Sequence, residues 1–151
     1  KLILIICANV IAFVALAALI DKVLMLVHPE FTLENTLGII MFPFAWLMGL
    51  DVSEAFKLAQ YMGTKLITNE FVVMLNVQDI MGEFSPHMQA VLTTFVTSFA
   101  NFGTLGMIIG CFKGIVDDSK NELISRNVGY MMLSGILVSL LTAGITGLFV
   151  W

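Results

Sequence analysis

The sequence predicts an all-α fold: a polytopic membrane protein fragment with a re-entrant helical hairpin and a discontinuous transmembrane helix. Three observations lead there. Hydrophobic residues make up 59% of the 151-residue chain and charged residues 12%, against about 45–50% and about 25% in soluble domains; mean hydropathy is +0.99. Several stretches reach the ~20 apolar residues that cross a hydrocarbon core. Residues 2–20 hold one strongly polar side chain, Asn9, and residues 88–112 and 127–151 hold no Asp, Glu, Lys or Arg. Two polar clusters nevertheless interrupt the apolar pattern, Asn69-Glu70 and Ser98 to Thr104. A charge at bilayer depth is costly and is kept for a substrate, an ion or a proton.

Taken in order, residues 1–27 form a transmembrane helix, with Asp21 and Lys22 near its end, where they reach the interface. His28-Pro29-Glu30 stops it, because proline disfavours helical backbone in the residue before it. Residues 36–50 contain Pro43 and the aromatics Phe42, Phe44 and Trp46, which suit a headgroup boundary. The segment is short for a crossing and reads as an interfacial or re-entrant helix. Residues 52–80 open on an amphipathic turn with Glu54 and Lys57, pass Gly63-Thr64-Lys65 and the Asn69-Glu70 pair, and read as a hairpin that enters and leaves on one side. Irregular backbone at that depth must be buried in protein or line a cavity. Residues 88–113 have the length of a span, but Asn101, Gly103 and Thr104 favour local unwinding, so a discontinuous transmembrane helix is expected. Residues 127–151 are the last span, with Gly129, Gly135, Gly144 and Gly147 for close packing.

The chain starts at Lys1, directly on an apolar span, and lacks the parts of a signal peptide. The expectation is a piece of a longer polypeptide. Net charge is −4, and no Lys/Arg cluster points to nucleic acid. In the joint 113–126 three basic residues balance three acidic ones, so positive-inside bias assigns no orientation. Cys7 and Cys111 both lie in apolar spans, which suits small packing residues rather than a disulfide or metal site. His28 and His87 each neighbour a proline at a span boundary and are expected to be solvated there. Nothing suggests an enzyme: there is no nucleophile elbow, Cys/His metal spacing or phosphate loop, and no cofactor is expected.

Each polar residue in the clusters has two readings. Glu70 is either a ligand group or an ion-pair partner of Lys65, although an offset of five is poor helical geometry. Asn101 is a ligand contact or an interhelical hydrogen-bonding amide. Thr104 contacts ligand or bonds a carbonyl one turn back. Phe99 stacks on a planar group or fills core. Asn69 caps or braces the hairpin, or touches substrate.

Met62-Gly63-Thr64-Lys65-Leu66 followed by Asn69-Glu70-Phe71-Val72 resembles the second re-entrant hairpin of concentrative nucleoside transporters. Ser98-Phe99-Ala100-Asn101-Phe102-Gly103-Thr104 is similar to the broken helix that follows it in that family, and Phe42 to Gly49 fits the segment before the hairpin. The resemblance covers nearly the whole chain, in the right order, and implies the C-terminal part of such a transporter. It implies a multi-pass protein of the cell (cytoplasmic) membrane, a homotrimer as the full-length protein, and cation-coupled (H+ or Na+) nucleoside uptake by alternating access. Glu70 and Asn101 would bind ribose hydroxyls, Thr104 would add a hydroxyl, and Phe99 would lie beside the base. The coupling-ion site and the base-reading hairpin would belong to the half upstream of Lys1. The chain departs from the family pattern at Val73-Met74, where Ala-Tyr is common, at Gly103-Thr104, and at Ser98, where glycine is common. The alternatives are a secondary transporter of another polar solute on the same architecture and a membrane scaffold subunit without substrate, which would leave Glu70 unexplained.

Overall fold

In a computed structural model, which describes residues 2–151, the chain forms helices and no strand among the described residues. Lys1 and the side chain of Asn9 lie outside the described residues. The α-helices are α1 (Leu2–Met25), α2 (Leu33–Leu47), α3 (Val52–Ile67), α4 (Glu70–Val77), α5 (Pro86–Val96), α6 (Phe102–Lys113) and α7 (Asp118–Phe149), with one 3-10 turn at Met81–Glu83. Asp21, at the end of α1, accepts a 2.6 Å hydrogen bond from the Leu33 amide and so fixes the entry of α2. Thr32 caps α2 through the Asn35 amide at 3.1 Å.

The α2–α3 pair is antiparallel and very close. A Cβ on Gly63 would sit 2.5 Å from the Glu34 carbonyl oxygen and 3.1 Å from the Gly38 nitrogen, and one on Gly38 would meet Gln60. The turn between the helices uses Gly49 at φ +94°, a left-handed conformation that glycine adopts without steric cost. Asp51 then caps α3 by accepting from the Glu54 amide at 2.9 Å.

After α3 the chain reverses. Glu54, in the first turn of α3, receives hydrogen bonds from the Ser85 amide and hydroxyl at 3.1 and 2.9 Å. The path from Thr68 to Ser85 therefore starts at one end of α3 and returns to the other, a distance of about 24 Å for a 16-residue helix. Helix α4 and the 3-10 turn make that return, with the Phe84 ring tilted against Tyr61 at a centroid distance of 6.1 Å. Helix α5 then climbs alongside α3 again, and α6 follows after a break.

Helix α7 is unbroken over 32 residues, about 48 Å, and among the described residues it is long and apolar enough to cross a membrane. It runs antiparallel to α5: Val150 lies at His87, Thr146 at Thr94 and Ser139 at Ser98. Its earlier half packs on α6, which also contacts α1. The helix begins nine residues before the apolar stretch at 127 that the sequence marks. Asp117 accepts from the Lys120 amide at 3.0 Å as cap, and an exposed Arg126–Glu122 pair at 2.7 Å lies along the first turns. Charged residues set the apolar boundary, but they do not end the helix, which runs on through them. The Lys120 ammonium beside Asp117 holds its carboxyl below the usual carboxylate range.

The core lies between α2, α3, α4, α5 and α7, with Ala45, Leu58, Met62, Val73, Phe95 and Ala143 fully buried. The outer face of α7 exposes Leu133, Leu137, Leu141 and Leu148. A contiguous apolar surface of that kind marks contact with lipid or protein.

His87 departs from its expected solvated position; it is 8% exposed. Its Nε2 lies 2.8 Å from the Met48 carbonyl oxygen, its Nδ1 faces the Val150 carbonyl, and the Trp151 ring lies tilted against it at a centroid distance of 5.1 Å. It joins the end of α2, the start of α5 and the end of α7. His28 is exposed.

Candidate functional site

Two breaks in the helical backbone meet in space, and the same device makes each. Thr68 ends α3, its hydroxyl donating to the Thr64 carbonyl at 2.6 Å. Asn69 is extended (φ −170°, ψ 174°), and its side-chain oxygen accepts from the Val72 amide at 3.0 Å, starting α4. Thirty-two residues on, Asn101 is also extended (φ −153°, ψ 164°) and accepts from the Thr104 amide at 2.8 Å, starting α6. Asparagine is a strong N-cap because its short amide satisfies an orphan donor of the first turn. The caps leave the positive ends of two half-helices and the negative ends of two others near the breaks. Asn69 is thus a cap in this structure.

Glu70 is the first residue of α4, where a carboxylate is favoured by the helix dipole. The Asn101 amide nitrogen donates to its Oε2 at 3.1 Å. Because the Asn101 oxygen is occupied by the Thr104 amide and hydroxyl at 2.8 and 3.0 Å, the nitrogen faces the carboxylate. Asn101 is 2% exposed, so these contacts fix its rotamer.

The Thr104 hydroxyl has one proton and two acceptors in reach, the Phe99 carbonyl at 2.6 Å and the Asn101 oxygen at 3.0 Å. With its proton committed locally, it offers a lone pair, so it serves a ligand as an acceptor. Phe99 is 73% exposed in this chain. A cavity of about 270 Å³ lies between this break and α7, lined by Ser98, Phe99, Asn101, Thr104, Met132 and Ser139 among others. Glu70 is not in its lining and reaches it through Asn101. The structure therefore brings all four candidate residues to one place, three of them on the cavity.

Sequence reasoning weighed Lys65 only as an ion-pair partner of Glu70 and missed its contact with Ser98. The Lys65 side chain is fully buried; its Nζ donates to the Ser98 hydroxyl and sits 4.7 Å over the Phe95 ring. Ser98 in turn bonds the Phe95 carbonyl at 2.9 Å and Ser139 of α7 at 2.6 Å. No Lys65–Glu70 ion pair forms: among the described residues the ion pairs are Lys120–Asp117 and Arg126–Glu122, both exposed. The signals were a lysine within a run that the fold buries, and Ser98 at a position where the resembling family commonly has glycine.

Two capped helix breaks face each other, a carboxylate on one and an amide on the other, and membrane transporters commonly build solute sites from discontinuous helices of this kind. Residues 1–147 match the family described as Na+ dependent nucleoside transporter C-terminus, and the chain belongs to that family. It is 46% identical over its whole length to the purine nucleoside transport protein NupG of Bacillus subtilis (strain 168), covering 38% of that protein. It is 30% identical to solute carrier family 28 member 3 of Mus musculus, with 95% of the chain aligned to 23% of that protein. The structure is similar to a CNTnw variant in an outward-facing state, with TM-score 0.87 and 27% identity over 99% of this chain and 39% of that one. Against CNTnw in an inward-facing substrate-bound state the TM-score is 0.76 at 30% identity, over 94% of this chain and 35% of that one. The chain thus spans about two fifths or less of the length of these relatives. They are transport proteins, not enzymes.

Proposed function

We propose that this chain is the C-terminal part of a cation-coupled nucleoside transporter and supplies the ribose side of its substrate site. The observation that carries the reading is the Glu70–Asn101 hydrogen bond at the meeting of the two breaks. An ionised carboxylate accepts and does not donate, so Glu70 suits a vicinal diol with two donors. An Asn101 N–H serves a ribose oxygen, the Thr104 hydroxyl accepts, and the exposed Phe99 ring offers its face to a planar base. Such stacking contributes about 1–3 kcal/mol per base in nucleic-acid binders, so Phe99→Ala raises the KM for nucleoside uptake by roughly ten-fold.

The reversal at Thr68-Asn69 supports reading α3 and α4 as a re-entrant hairpin, and the break before α6 as the middle of a discontinuous span. The protein is then multi-pass in the cell membrane and works by alternating access, with the hairpin as a gate that carries Glu70. A homotrimer is the assembly, and the H+ or Na+ site lies outside this chain. The family's description makes sodium the first ion to test, and the name of the Bacillus relative makes purine nucleosides the first substrates beside uridine.

The test is uptake of radiolabelled uridine, adenosine and inosine by transporter-deficient cells expressing the complete polypeptide that carries this chain. It is run with and without sodium and at two external pH values. Uptake that requires one cation gradient supports the reading and names the ion. A well-expressed polypeptide that takes up no nucleoside, but does take up another polar solute, overturns it.

A further inference from the structure

Lys65 is fully buried and meets no carboxylate at ion-pair distance among the described residues. A buried ammonium needs compensation, and three features provide it. These are the Ser98 hydroxyl, the face of Phe95, and the carbonyl end of α5, which carries partial negative charge. The Ser98 hydroxyl has one proton to give, and the Phe95 carbonyl and Ser139 both lie within hydrogen-bond distance of it. An ammonium only donates, so Lys65 is the donor whichever way the two serine hydroxyls turn.

The two polar contacts across the breaks are closely spaced on both sides. Lys65 and Glu70 stand five residues apart around the first break, and their partners Ser98 and Asn101 stand three apart around the second. They differ in access. Ser98 and Asn101 both line the cavity, yet the Lys65 ammonium is closed off beneath Ser98. A diol that binds Glu70 and Asn101 competes with their mutual hydrogen bond. It leaves the Lys65–Ser98 contact intact.

We infer that Lys65 is a positioning residue for the substrate site. Its ammonium clamps the α3 end of the hairpin to Ser98, and this clamp keeps Glu70 and Asn101 at binding distance when substrate displaces their own contact. Ser139 extends the clamp to α7. The inference rests on the reading of Glu70 and Asn101 as substrate groups.

The test is nucleoside uptake by the complete polypeptide, with KM and kcat per surface-exposed copy, for Lys65→Met, Ser98→Ala, Ser98→Thr and the Lys65→Met/Ser98→Ala double variant. Lys65→Met is expected to raise KM about ten-fold or more with kcat changed less than about three-fold, since displacement of a positioned group by ~1 Å costs up to about a hundred-fold. Ser98→Ala raises KM in the same direction, Ser98→Thr recovers most of that loss by restoring the hydroxyl, and the double variant is no worse than Lys65→Met. Wild-type KM in both single variants, or fully additive effects in the double, overturns the clamp. If Lys65→Met does not reach the surface, the contrast between Ser98→Ala and Ser98→Thr decides alone: equal KM values overturn it. Glu70→Gln is run in parallel. Loss of uptake there with unaltered Lys65 and Ser98 variants removes the clamp and keeps the ribose site, whereas Glu70→Gln with wild-type KM removes the site itself.

Discussion

Glu70→Gln is expected to lower kcat/KM for nucleoside uptake by at least about a hundred-fold while leaving the amount of protein in the membrane unchanged. The substitution keeps the shape of the side chain and an oxygen that accepts from Asn101, so the contact at 3.1 Å that joins the two breaks survives. What it removes is charge and one acceptor. Hydrogen bonds to a charged group contribute about 1.5–3 kcal/mol each, and the proposed diol makes two. In their place the glutamine nitrogen turns a donor toward ribose hydroxyls that must themselves donate. Uptake at wild-type KM by the Gln variant would reject the ribose assignment. A protein that disappears from the membrane would instead assign Glu70 to folding.

Gly63→Ala is expected to destabilise the protein, and Gly144→Ala to leave it unchanged or stabilise it. Both lie inside helices, where alanine is favoured over glycine by roughly 1 kcal/mol. At Gly144 nothing lies within 4 Å of the added methyl, so that gain is unopposed. At Gly63 the methyl would be 2.5 Å from the Glu34 carbonyl oxygen and 3.1 Å from the Gly38 nitrogen. Those are backbone atoms of α2, and no rotamer change relieves the clash. The helices must separate, at a cost of about 1–3 kcal/mol for an overpacked interface. Thermal unfolding in detergent should fall by several degrees for Gly63→Ala alone. Equal melting temperatures for the two variants would mean that α2 and α3 do not approach as closely as described.

The all-helical class was legible because charge-free runs of span length leave few alternatives. The capped breaks were partly legible too: asparagine followed by a helix-forming run is a start signal wherever it falls, and both Asn69 and Asn101 act as one. What escaped was set by distant partners. His87 next to Pro86 has the local pattern of a solvated boundary residue, yet its ring lies against carbonyls 39 and 63 residues away. Lys65 was weighed only against Glu70, its near neighbour, while its partner Ser98 is 33 residues on. Helix α7 began early because its first turns are stabilised by Asp117 and exposed charge pairs rather than by burial. In each case the deciding group belonged to another element, which no local window contains.

The buried Lys65 bears on how the protein responds to membrane voltage. With both groups ionised, Lys65 and Glu70 place one positive and one negative charge beside the same pair of breaks. On the proposed reading, a part of the molecule that carries the site through the electric field moves no net side-chain charge from it. Displacing one uncompensated charge through the full field would involve about 2.3 kcal/mol per 100 mV. Voltage then drives the cycle through the coupling ion, and the neutral nucleoside and its binding groups add nothing to the charge moved. Removing the ammonium in Lys65→Met should expose the Glu70 charge as a transient current in the absence of coupling ion, and an unchanged transient would show that neither group crosses the field.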